Sequence, residues 1–133
     1  MFKHTLVPEE YFSPAAASRI LSSVAVLEKG ARTRYKEQAQ FKAVLVYSGE
    51  DSRALLLEHT LNTAVAAALA GSGKMCAVMR FSDGEADVAV AQEDKMLLAN
   101  TYPAIDRTTA EYFLYAALNQ IGADLKKTQI ITL

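Results

Sequence analysis

The sequence predicts an α/β protein built on a mixed β-sheet, and three observations predict it. Residues 75–102 contain three short apolar runs separated by two polar turns, the pattern of an antiparallel meander. A helix with a clear start signal follows near Thr108. A last apolar run, TQIITL (Thr128–Leu133), ends the chain, and a strand reached through a helix should return parallel to its neighbour by a right-handed crossover. The second half therefore reads β-β-β-α-β.

Each element has its own warrant. FKHTLV (Phe2–Val7) alternates and stops at Pro8, as a short first strand would. Ser13-Pro14 opens a helix with Ser13 as N-cap and Pro14 in the first turn, where its missing N–H does no harm. Ala17, Ile20, Leu21 and Val24 give that helix an apolar stripe, and Gly30 lies beyond its end. ARTRYKEQ (Ala31–Gln38) is polar and alternating, and fits either an exposed strand or a loop. FKAVLVY (Phe41–Tyr47) is nearly continuous in apolar residues, the mark of a central strand buried on both faces. Glu50 and Asp51 suit a helix N-terminus, with Leu55 to Leu57 expected to be buried. LEHT (Leu57–Thr60) fits a short strand or a continuation of the helix, and the alanine-rich Leu61–Ala70 is helical by propensity up to Gly71. The first half is then β-α-(β)-β-α-α.

In the meander, Ala77, Met79 and Phe81 share one face and Cys76 and Val78 the other. Asp83-Gly84 supplies the first turn, ADVAVA (Ala86–Ala91) alternates again, and Gln92–Lys95 supplies the second turn. Thr108 and Glu111 match the capping box S/T-x-x-E, and Ala110, Phe113, Leu114, Ala117, Leu118 and Ile121 form one apolar face ending at Gly122. Residues 1–72 thus make an N-terminal α/β portion and residues 73–133 a β-β-β-α-β half, expected to pack as one compact domain.

Composition removes several classes of function. A chain of 133 residues can bury about two-thirds of its unfolded surface, enough for a real core. Half of it is apolar, 22% is charged and the net charge is −1, with no basic cluster to attract nucleic acid. The low-charge run Thr60–Ser72 is too short to span a bilayer. One cysteine, Cys76, placed within a strand, reads as a small buried apolar residue in a cytoplasmic protein.

The β-β-β-α-β order is that of the half-unit in ribonuclease H-like and actin-like ATPase folds. Four stretches carry a closer resemblance: TLVPEEYF (Thr5–Phe12), AVLVYS (Ala43–Ser48), LLANTYP (Leu97–Pro103) and TAEYFLYAALNQIGAD (Thr109–Asp124). They resemble a family of uncharacterised Bacteroidetes proteins with an actin-like ATPase fold. Members of that family are about twice this length, so the resemblance implies that this chain corresponds to their middle portion, without an N-terminal lobe or the tail after the last strand. It implies a fold and no activity.

Actin-like ATPases hold nucleotide phosphates and hydrated Mg²⁺ between two hairpin loops, one from each lobe, using loop amides and a carboxylate. The resemblance places Ser82, Asp83 and Gly84 of SDGE (Ser82–Glu85) at the matching turn, where ATP with Mg²⁺ would be the ligand, while Asp-Gly is equally the commonest way to make a tight turn. GSGK (Gly71–Lys74) departs from the phosphate-loop pattern, with Ala68 and Met75 at two required positions and a strand where a helix should follow. His4 and His59 are the only histidines and join no metal-ligand cluster, and His59 reads as a hydrogen-bonded structural residue. Ser22-Ser23 and Ser48-Gly49 lack the nucleophile-elbow pattern. Tyr102, Tyr112 and Tyr115 fit either a second packing layer or an interface. Two functions follow: a non-enzymatic lobe acting through protein–protein contacts, as a homodimer or with a missing lobe, or a nucleotide-binding lobe completed by another chain.

Overall fold

The computed structural model describes residues 2–133. Its elements are β1 (Lys3–Pro8), α1 (Ala17–Ser22), β2 (Arg34–Gln38), β3 (Ala43–Ser48), α2 (Asp51–Ala70), β4 (Met75–Ser82), β5 (Glu85–Gln92), β6 (Lys95–Pro103), α3 (Arg107–Gln120) and β7 (Thr128–Thr132). The chain forms two compact units, one ending at Leu56 and one running from Leu57 to Leu133, so the boundary falls inside α2.

The second unit holds a four-stranded sheet in the order β6-β5-β4-β7. β4, β5 and β6 form the expected antiparallel meander, and β7 returns parallel to β4 with Thr128 opposite Met75. The period of two sorts the side chains by face. Ala77 and Met79 of β4 join Ala86, Val88 and Val90 of β5 in a core completed by Ala110, Leu114, Ala117 and Leu118 of α3. The opposite face carries Cys76, Val78, Ala89 and Ala91, also buried. Arg80 on that face donates from Nε to Thr60 Oγ1 at 3.2 Å and lies 2.6 Å from His59 Nδ1, so the later part of α2 covers it. Burial on both faces explains why β5 is alanine and valine almost throughout.

Residues 51–70 form one uninterrupted helix, which removes the short strand considered at Leu57–Thr60. Thr60, Thr63 and Val65 are isolated β-branched residues among alanine and leucine, and local propensity favours the helix. Its buried positions are Ala54, Leu57, Thr60, Leu61, Ala64, Val65 and Ala68, each three or four residues from another. Leu55 and Leu56 lie off this stripe and are exposed, contrary to expectation; only Leu57 of the three is buried.

The start of α3 also differs from the sequence reading. Asp106 is the cap: its Oδ1 accepts the Thr109 N–H at 2.8 Å, and the helix begins at Arg107. Thr108 and Glu111 lie inside the first turns, because an extended Asp106 offers the same capping chemistry two residues earlier.

The first unit holds a three-stranded antiparallel sheet in the order β1-β3-β2, with β3 central as expected. Val44 and Val46 pack on Ala17 and Leu21 of α1, while Leu45 and Tyr47 are buried on the other face. β2 settles the choice over Ala31–Gln38 in favour of a strand at Arg34–Gln38. α1 is shorter than expected. Ser13 makes no side-chain cap, and Pro14–Ala16 form a 3-10 turn before the helix. The hydroxyls of Ser22 and Ser23 bond back to the Arg19 and Ile20 carbonyls, competing with the next helical turn. Val24 falls beyond the end and is exposed.

Candidate functional site

Ser82, Asp83 and Gly84 sit where the sequence placed them, in the hairpin joining β4 to β5. Ser82 pairs with Glu85 across the strands, and Asp83 and Gly84 fill the two central positions with φ of 50° and 77°. Two consecutive positive φ values define a type I′ turn, whose twist matches paired strands and which selects Asp-Gly or Asn-Gly. The Gly84 carbonyl accepts the Ala104 N–H at 2.9 Å, tying the turn to the segment after β6. Backbone geometry alone thus accounts for both residues.

Behind this turn lies a half-buried polar row, centred on the buried Asp87, that the sequence reading missed. Arg80, Asp87 and Thr101 stand opposite one another on β4, β5 and β6. Thr101 Oγ1 donates to Asp87 Oδ1 at 2.6 Å, and Asp87 is only 1% exposed. A buried carboxylate requires such partners. The signal was present: Asp87 is the one charged residue inside ADVAVA, and Arg80 interrupts CAVMRF. His59, next to Arg80, takes the structural role expected of it.

The remaining motifs resolve plainly. GSGK closes α2, with Lys74 N–H donating to the Gly71 carbonyl and Gln92 Nε2 donating to the Gly73 carbonyl. β4 follows it, so no helix N-terminus faces a phosphate there. Cys76 is buried, and burial pushes its thiol above the ordinary range, away from the reactive thiolate. Among the described residues, no group of three or more His, Cys, Asp or Glu is arranged to hold a metal, and no helix is long and apolar enough to cross a membrane.

The aromatic residues around α3 are different. Tyr102 of β6 stacks on Phe113 of α3 at 4.8 Å with the rings nearly parallel, and Tyr112 meets Phe113 edge-on at 5.4 Å. Tyr112 is 68% exposed, Ile105 just before the helix is 90% exposed, and Tyr115 is also exposed. This surface adjoins β6, an edge strand of nine residues whose interior, Met96 to Tyr102, carries no charge.

The chain belongs to the family described as "Protein of unknown function (DUF3822)", whose model matches residues 2–133. Its fold is that of actin-like ATPases. It superposes on a protein of unknown function with an actin-like ATPase fold from Bacteroides thetaiotaomicron with a TM-score of 0.82 at 12% identity. The match covers 98% of this chain and 55% of that one, so this chain spans about half the length of the solved structure. A PilM–PilN type IV pilus biogenesis complex aligns with a TM-score of 0.47 at 12% identity, over 95% of this chain and 45% of that chain. No curated protein matches the chain by sequence.

Proposed function

We propose that this chain is a non-enzymatic lobe of an actin-like protein and works by contact with other proteins in the cytoplasm. The observation that supports it is the aromatic surface formed by Tyr102, Phe113, Tyr112 and Ile105 beside the unpaired edge of β6. Tyrosines with an apolar ring and a polar tip are favoured at interfaces, and uncharged sheet edges are seldom left bare. The partner is a second copy of the chain or the complementary lobe. Light scattering of the purified chain tests this, with a dimer expected that Tyr112→Ser combined with Ile105→Ser returns to monomer. A monomeric parent that also fails to capture a complementary lobe would sink the reading.

A second reading keeps Ser82, Asp83 and Gly84 as phosphate contacts for ATP with Mg²⁺, supported by the position of the hairpin in an actin-like fold. A thermal-shift scan with and without Mg-ATP separates the two. A shift in the parent that Asp83→Ala abolishes would replace the contact reading with the nucleotide one.

A further inference from the structure

A cleft of about 430 Å³ opens at the end of the three-stranded sheet where β1 begins and β3 ends. That volume is in the range of small-molecule sites, about 300–1,000 Å³. Lys3, Arg32 and Arg34 line it, against a single lining carboxylate, Glu28. Arg34 is pre-oriented, because Asp51 Oδ2 holds its Nη1 at 2.6 Å while Tyr47 donates its hydroxyl to Asp51 Oδ1 at 2.7 Å. A guanidinium has five donors, so one occupied nitrogen leaves others for a ligand. Lys3 and Arg32 are held in no ion pair among the described residues. Val26, 87% exposed, and Leu27 give the same cleft an apolar wall.

From this arrangement we infer that the first unit binds a small organic anion, its phosphate or carboxylate facing Lys3, Arg32 and Arg34 and its apolar part against Val26 and Leu27. Clustered cations of which one is already positioned favour a compact anion, since charge-assisted hydrogen bonds are about twice as strong as neutral ones. The apolar wall adds what a bare ion cannot use. The site lies within the first unit alone and does not depend on the contact surface proposed for the second.

Phenyl phosphate, benzoate and inorganic phosphate are the probes, titrated at fixed ionic strength into the isotopically labelled chain and followed by amide resonances and calorimetry. Phenyl phosphate or benzoate is expected to saturate, to move the resonances of Leu27, Arg34, Ser48 and Gly49, and to bind at least about tenfold tighter than inorganic phosphate. The tighter of the two organic anions assigns the head group. Lys3→Ala combined with Arg32→Ala should weaken it at least about tenfold, with circular dichroism and melting unchanged. Equal binding by inorganic phosphate, equal binding by the double variant, or resonances moved only elsewhere would each overturn the inference. So would the absence of saturable binding by either organic anion.

Discussion

The two sheets are held by different kinds of interaction. In the four-stranded sheet both faces of β4 and β5 are covered largely by apolar side chains, with the row of Arg80, Asp87 and Thr101 set among them. The three-stranded sheet has a smaller apolar cluster on one face, Ala17, Leu21, Val44 and Val46, with Leu45 and Tyr47 buried on the other, and adds directional contacts to them. Tyr47 and Arg34 both bond Asp51, the Phe2 ring lies 5.9 Å from that of Tyr47, and the Arg53 guanidinium sits 5.1 Å above Phe2. Apolar burial scales with area at about 25 cal/mol per Å². Exposed ion pairs return only about 0–1 kcal/mol each. The second unit should therefore hold most of the stability, and the first should open at lower free energy.

Core truncation is the strongest way to break that contrast. Leu118 and Leu21 are both fully buried, one in each unit. Leu118→Ala is expected to cost about 2–5 kcal/mol in denaturant unfolding, with Leu21→Ala at or below the lower end of that range. Native-state hydrogen exchange should find the slowest amides in β4 and β5. If Leu21→Ala costs more, or β3 exchanges as slowly as β5, the two units are equally stable and the contrast fails.

The turns sharpen it. Gly49 has φ of 126°, and a Cβ there would lie 2.9 Å from the Phe2 Cα. Gly49→Ala should cost about 1–3 kcal/mol in backbone strain, with the clash in addition. Gly84 has φ of 77° and nothing nearer than the Ala104 carbonyl oxygen at 3.9 Å. Gly84→Ala should cost only about 1 kcal/mol, the left-handed penalty alone. Thermal unfolding of the two variants measures the difference. Equal losses would mean that Phe2 moves aside at little cost, and with it the aromatic contacts credited to the first sheet.

What was legible in the sequence follows the same division. Asp83-Gly84 and the polar turn Gln92–Lys95 marked the meander because short polar turns state their own chemistry, and the nearly continuous apolar run at Phe41–Tyr47 announced a central strand. Thr108 reads as the cap because the Glu three residues on completes a pattern, whereas the extended backbone at Asp106 makes that residue the cap. Leu55 and Leu56 were expected inside on hydropathy alone, and the phase of the α2 stripe puts them outside. The contact of Arg34 with Asp51 spans 17 residues, and no local pattern signals it. At the candidate site, the type I′ turn already demands Asp83 and Gly84, so their presence carries no information about a ligand.

The smallest expected effects lie at two carboxylates, one in each unit. Asp51 is held below its usual pKa of 3.8, first by the Tyr47 hydroxyl and then by Arg34. Asp106 is held below the same value by the Thr109 backbone N–H and then by its side chain. A carboxyl whose folded value is lowered contributes stability that is fully present above its unfolded value and is lost as pH falls through the folded one. Both contributions should therefore disappear below pH 3.8, and Asp51→Asn or Asp106→Asn should flatten the acid limb of stability in its own unit. Salt should separate them. The Arg34–Asp51 pair is open to solvent and screened, whereas the Asp106 cap accepts from a neutral amide. Amide exchange in β3 should accelerate with added salt near neutral pH, while exchange at the start of α3 should barely change. Equal salt responses would show that the Arg34 pair adds nothing to the hydroxyl of Tyr47, and that Asp51 serves the first unit as a hydrogen-bond acceptor alone.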